Sequence, residues 1–325
     1  PWPSASLPHH SLHHPPARSG CPRETPWKAG ADVARPAPAV ERTTAILDFL
    51  AAHPTEAWSL SELARRLDLN KATAHSLLSA LTDAGYLVRH PARKDYALGP
   101  ALIGVGRAAL EQFPVVDFAR PEMRRLAEET GLECLATASV DGDMVILERV
   151  GTPRPLTVSV AVGQRVPIAP PFGTAFVAWE TPGGVERWLA RAGSTASDAE
   201  RRRYDAALAA VRDRGYSVTL DADAHARLGR VLADAAAAPD RRRGDVGALV
   251  DELGHEDYLL IELEADRSYR VNHVAAPVFD ADGHVAVLLA LIGFRGTVTG
   301  ADVATAAERL VAGADAVTRS VHGRM

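Results

Sequence analysis

Residues 59–78, SLSELARRLDLNKATAHSLL, constrain the fold more than any other stretch of the chain. Ser59 is followed three residues later by Glu62, a pair that closes a helix N-terminus reciprocally. Leu60, Leu63, Ala64 and Leu67 then make one apolar stripe. Asp68-Leu69-Asn70 interrupts the period, and Asn70 suits the N-cap of a second helix. There Ala74, Leu77, Leu78 and Leu81 recur at i, i+3, i+4 and i+7 and face inward. Lys71, Ala72, His75, Ser76 and Ser79 share the opposite face, small and polar enough to enter a DNA major groove.

The flanks extend this unit. Upstream, Thr43, Ile46, Leu47 and Leu50 form a helical stripe that His53-Pro54 ends. Downstream, Gly85 ends the second helix of the motif. Tyr86-Leu87-Val88-Arg89 and Tyr96-Ala97-Leu98 then read as two strands around a turn carrying His90, Arg93 and Lys94. Three helices and a basic hairpin make a winged helix-turn-helix over 38–100. Its candidate DNA-binding residues are Lys71, Thr73, His75 and Ser76 on the helix, and Arg89, Arg93 and Lys94 on the wing. A small helical subdomain without a ligand is the bland alternative; cap, turn, groove face and wing arriving in order favour DNA.

Charge narrows how such a unit works. Residues 36–100 carry 7 basic and 7 acidic residues, so the segment is neutral. Residues 1–35 carry net +2 and residues 101–325 net −7, within a total of −5. A neutral head is not an indiscriminate polycation; binding requires correct docking, best met by two copies on one duplex. The acidic remainder argues against DNA coating.

A chain of 325 residues suggests two domains. Residues 1–37, rich in Pro, His, Ser and Ala, read as a disordered tail, and HHSLHH (9–14) as a solvated run. Leu102, Val105, Gly106 and Ala109 continue a helical period, a linker helix over 101–113. Ala119, Met123, Leu126 and Ala127 stripe the next helix, which stops at Gly131. CLATAS (134–139) and MVILER (144–149) flank an Asp141-Gly142 turn and read as a hairpin. PLTVSV (155–160) reads as a further strand. Helices are expected near 173–180, 184–191 and 198–214, strands near 258–263, 271–279 and 284–294, and a closing helix over 300–320. Helices segregated around strands make residues 114–322 an α+β domain with a largely antiparallel sheet.

The chain resembles the IclR family of bacterial transcription regulators. The residues that carry the likeness are VERTTAILDFL, the helix-turn-helix segment and YALGP in the first part. PVVDFARPEMRRLAEETGLECLATASVDGDMVILERV (114–150), VGQRVP (162–167), RGYSV (214–218) and AAPVFDADGHV (275–285) carry it in the second. The resemblance implies a GAF-like effector-binding domain, one sheet face forming a pocket for a small organic or aromatic acid. Relative to the family, residues at about 222–257 are a helical insertion. The family's recognition-helix Ser and Arg align with Ala72 and Ser76, so its DNA site does not carry over. A Cys is replaced by His273, and two Ser by Ala290 and Ile292. APPFGTA (169–175) replaces a longer pocket loop. On this reading Phe172, Gly173, Thr174, Asp221, His273, Ala290 and Ile292 are effector-binding candidates. Amides at Gly173–Thr174, at a helix N-terminus, are expected to receive a carboxylate. His273 either donates a hydrogen bond to the effector or faces solvent.

No catalytic or phosphate-binding signature of the GxSxG, HExxH or GxxxxGK[ST] kind occurs, and His225, His255, His273 and His284 lack metal-ligand spacing. No enzyme, cofactor or metal is expected. Cys21 and Cys134 imply no disulfide framework. Without an 18-residue apolar run or a signal-peptide core, a cytoplasmic location and no membrane partner are expected. The expected partners are a double-stranded operator, a small-molecule effector, and the chain itself as a homodimer or dimer of dimers. The alternatives are a dimeric DNA-binding repressor without an effector, and an enzyme domain fused to a DNA-binding module.

Overall fold

The computed structural model describes residues 37–152, 161–191, 197–220 and 258–321. The strand expected at 155–160, the insertion at 222–257, Asp221, and all of the expected tail except residue 37 lie outside the described residues.

Three helices open the described chain: α1 (Pro38–Ala52), α2 (Leu60–Arg66) and α3 (Lys71–Asp83). Ser59 and Glu62 close α2 as a complete capping box, and Asn70 Oδ1 accepts from the Thr73 amide to start α3. Gly85, at φ +75°, turns the chain into β1 (Leu87–Arg89), which pairs antiparallel with β2 (Tyr96–Leu98). Ile46, Phe49, Leu50, Leu63, Leu67, Leu78, Leu81, Leu87 and Tyr96 pack into one small core. The helix periods place each of these helical residues on the same side.

The next helix, α4 (Ala101–Leu110), buries none of its residues. Helix α5 (Val115–Thr130) buries Ala119, Met123 and Leu126 and ends at Gly131 in the left-handed conformation. Beyond it the described residues form an antiparallel sheet of six strands, β3 (Glu133–Val140), β4 (Asp143–Val150), β5 (Arg165–Pro167), β6 (Ser217–Leu220), β8 (Val271–Phe279) and β9 (Val285–Ile292). Their spatial order is β5-β4-β3-β9-β8-β6. A separate two-stranded ladder pairs β7 (Ser268–Tyr269) with β10 (Val298–Thr299). The remaining helices among the described residues are α6 (Thr174–Val177), α7 (Pro182–Leu189), α8 (Asp198–Arg214) and α9 (Gly300–Ser320).

Period-2 alternation gives this sheet two buried faces. Cys134, Ala136, Val274, Ala276, Leu289 and Leu291 pack with α5 and α9. Leu135, Ala275, Leu288, Ala290 and Ile292 pack instead with α6, α7 and α8. Burial on both faces explains why β9 reads as the continuous apolar run VAVLLALI. Three expected elements shrink. The helix near 173–180 is a single turn, and the strand near 284–294 spans Val285–Ile292. The segment near 258–263 contributes only a bridge between Leu259 and Thr219.

Candidate DNA interface and candidate effector face

Helix α3 presents Lys71, Ala72, His75, Ser76 and Ser79 to solvent, while Ala74, Leu78 and Leu81 are buried beneath them. Ser76 Oγ donates to the Ala72 carbonyl at 3.1 Å, which leaves the hydroxyl free only to accept. Thr73 departs from the expected groove face: it is half-buried. It lies one turn before Leu77, which is likewise half-buried, on the flank between the exposed and buried faces of α3.

The wing is tightly organised. The His90 amide donates to the Asp95 carbonyl at 2.9 Å, and the Lys94 amide to the His90 carbonyl at 2.8 Å. The His90 Nδ1 accepts from the amides of Ala92 and Arg93 at 3.3 and 3.1 Å. Lys94 sits at φ +60°, holding the turn in a conformation L residues seldom adopt. The three predicted wing cations are not equivalent. Arg93 Nε contacts Asp95 Oδ2 at 2.9 Å. The Arg89 guanidinium lies 5.5 Å from the Tyr96 ring centroid. Lys94 is exposed.

One structural residue escaped sequence reasoning. Trp58 exchanges two backbone hydrogen bonds with Tyr96, at 3.1 and 2.8 Å, and so joins the wing to the start of α2. Its ring meets Phe49 and His53 edge-on, and Arg66 lies over it at 5.5 Å. The available signal was an aromatic residue immediately before the capping box, where the entering chain commonly packs against its helix.

The second candidate site lies on the α6–α8 face of the sheet. His273 pairs in register with Ile292, and Ala275 with Ala290, so all four share this face. Thr219, opposite His273, hydrogen bonds its Nδ1 through Oγ1 at 2.7 Å. His273 is therefore a half-buried member of the α6–α8 layer rather than of a solvent-facing strand surface. Ala290 and Ile292 are buried on the same face and make it apolar there.

Phe172 is buried and stacks edge-on against Tyr258 at 5.5 Å between centroids. The Trp188 indole donates to the Phe172 carbonyl at 2.8 Å and anchors this loop. Gly173, at φ +86°, lies so close to Ile168 that a Cβ would meet Ile168 Cγ2 at 2.7 Å. Thr174 is buried. The helix it begins has only four residues, so few peptide dipoles align behind the Gly173–Thr174 amides. The expected anion seat there is correspondingly weak.

Burial pushes the Cys134 thiol up to about 12, which makes it an inert core group on the α5–α9 face. Burial likewise lowers the Arg214 guanidinium, whose donors go to the carbonyls of Tyr216 and Leu260. Among the described residues, no group of three or more His, Cys, Asp or Glu side chains is arranged to hold a metal ion. No described helix is long and apolar enough to cross a membrane.

Comparison with known proteins covers both regions. Residues 39–91 match the IclR helix-turn-helix domain, and residues 107–225 match the bacterial transcriptional regulator IclR C-terminal domain. The HTH-type transcriptional regulator XynR of Escherichia coli is 27% identical over 185 residues, covering 55% of this chain and 73% of that protein. The crystal structure of an IclR transcriptional regulator from Alicyclobacillus acidocaldarius shares the fold. Its TM-score is 0.59 and its identity 22%, over 88% of this chain and all of that one. An IclR homolog from Microbacterium hydrocarbonoxydans, solved in complex with 4-hydroxybenzoate, is similar at TM-score 0.57 and 16% identity. That likeness covers 87% of this chain and 98% of the homolog.

Proposed function

The chain belongs to the IclR family of bacterial DNA-binding transcription regulators, and from that premise we propose that α3 reads an operator through its exposed outer face. The observation that carries this reading is the outer face of α3: Lys71, Ala72, His75 and Ser76, exposed beside a wing bearing Arg89, Arg93 and Lys94. Lys71 and Lys94 supply phosphate contacts, and His75 and Ser76 supply hydrogen bonds to base edges. The Ala72 methyl suits contact with a thymine methyl.

The operator is read by two copies of the chain. A neutral head gains little from charge alone, and one short helix contacts few base pairs. The exposed apolar surface of α4 supports self-association: Ile103 is 66% and Val105 53% exposed, on a helix with no buried residue. Paired heads imply half-sites about 34 Å apart or a multiple of that spacing.

The α6–α8 face of the sheet binds a small effector with an apolar body. Ala290, Ile292, Leu135 and Phe172 support the apolar part of this reading, and the 4-hydroxybenzoate held by the Microbacterium homolog agrees with it. An effector changes operator affinity only by binding one arrangement of the dimer more tightly than another. The acidic character of the chain beyond residue 100 keeps that region away from DNA.

Selection of randomised duplexes over the full chain tests the reading. Enrichment of a two-fold symmetric sequence, with affinity altered by an aromatic acid, is the expected result. Recovery of no preferred sequence would overturn the DNA reading. A symmetric site indifferent to every small acid or phenol tried would leave a dimeric repressor without an effector.

A further inference from the structure

The α6–α8 layer contains a charged pair that none of the expected pocket residues includes. Glu133 opens β3 and is 0% exposed, yet it lies in register with Ile292 and so points toward the α6–α8 layer. Arg149, on β4, pairs with Leu135 and shares that face. Both its Nε and Nη2 converge on one carboxylate oxygen, Glu133 Oε2. The other oxygen, Oε1, is buried and has no hydrogen-bond partner among the described residues. Gly151, which follows the neighbouring strand β4, lies close alongside: a Cβ there would lie 3.1 Å from Glu133 Cα and 3.4 Å from its Cγ.

The chemistry of the missing partner follows from what a carboxylate can do. Held by a guanidinium, it accepts hydrogen bonds and donates none. A ligand carboxylate brought to Oε1 would set acceptor against acceptor. A cationic amine would meet Arg149, which already balances the Glu133 charge. A neutral donor fits: a hydroxyl, with its apolar body on Leu135, Ala290 and Ile292. Thr219, His273, Ile292 and Glu133 form one row across four neighbouring strands, so the unpaired oxygen lies beside the apolar wall already described.

We propose that Glu133, oriented by Arg149, is a specificity-determining residue of the effector site and selects ligands carrying a neutral hydroxyl, phenols above all. This rests on the reading of the α6–α8 face as the effector site. It places the hydroxyl, rather than an acid, at the β3–β9 end of the sheet.

Calorimetry on the full chain with 4-methylphenol, 4-methylanisole and benzoate tests the assignment. The anisole keeps the ring and oxygen but cannot donate. The expected result is a preference for the phenol of roughly tenfold or more, the scale of one net hydrogen bond to a charged group. Removing Glu133 alone would deprive the half-buried Arg149 guanidinium of its ion pair with Glu133 and endanger the fold. The double variant Glu133→Leu/Arg149→Met removes both charges, a replacement that folds well in other buried pairs. It should melt near the parent, still bind the anisole, and lose the preference. Equal binding of phenol and anisole by the parent, or a preference surviving in the double variant, overturns the Glu133 assignment while leaving the effector face in place. Binding of none of the three probes, with operator affinity intact, overturns the assignment and the effector reading together and leaves the DNA reading standing.

Discussion

The Arg93 guanidinium holds the Asp95 carboxylate, Nε to Oδ2 at 2.9 Å, so the wing neutralises one of its own cations. Phosphate contacts made by the wing therefore compete with an internal ion pair. Asp95→Asn keeps the backbone hydrogen bond to His90 and releases Arg93. The variant should bind operator more tightly, with log affinity falling more steeply against log salt by about 1 unit, one more phosphate contact. A titration across salt concentrations with an unchanged slope would mean that Arg93 does not reach DNA.

Trp58 ties the wing to the helix-turn-helix through its backbone and packs Phe49 and His53 with its ring. Trp58→Ala should lower stability by about 2 kcal/mol, less than for a fully buried aromatic. Its indole Nε1 is buried with no hydrogen-bond partner among the described residues, so Trp58→Phe should stay within about 1 kcal/mol of the parent. Urea midpoints separate the two. Equal losses in both variants would show that a phenyl ring does not restore the packing on Phe49 and His53 and that the whole indole is needed.

Gly99 and Gly104 should respond oppositely to alanine. A Cβ on Gly99 would lie 2.2 Å from the Gly85 carbonyl oxygen, a backbone contact that cannot move aside. Gly99→Ala should therefore cost about 2 kcal/mol or more. Gly104 has nothing within 4 Å of its would-be Cβ and sits inside α4. Gly104→Ala should raise stability by up to about 1 kcal/mol. Thermal melts in which Gly99→Ala is silent would contradict the close crossing at the base of the wing.

Much of this fold is legible in the sequence because the signals are local. The Ser59–Glu62 box, the Asn70 cap, Gly85 and Gly131 each mark a boundary with a few residues, and the structure places them there. Strands β5, β6, β7 and β10 have two to four residues each and carry no period long enough to read. The exposed outer face of α3 is similarly legible, since one helix period decides it; Thr73 lies on its flank, in line with the half-buried Leu77. Glu133 and Arg149 were hidden for a different reason. Their meeting depends on strand register, and a glutamate at a strand start reads as a surface residue.

Cys134 should be silent toward thiol reagents. Its pKa of about 12 lies above the unperturbed value because burial disfavours the thiolate, so the group is neutral at every pH below that. In a Cys21→Ser background the native chain should give no reaction at pH 8, and full reaction once denatured. Rapid modification of the native form would mean that β3 opens readily.

The recognition face of α3 is the central claim, and operator binding by the variant Lys71→Ala/His75→Ala/Ser76→Ala measures it most directly. All three side chains are exposed, so the melting temperature should not change by more than a few degrees. Removing a side chain that touches a base or a phosphate should cost about 1–3 kcal/mol of binding. Fluorescence anisotropy on the selected duplex should show affinity reduced by roughly a hundredfold or more. Parental affinity in a folded triple variant would place the DNA-reading surface elsewhere.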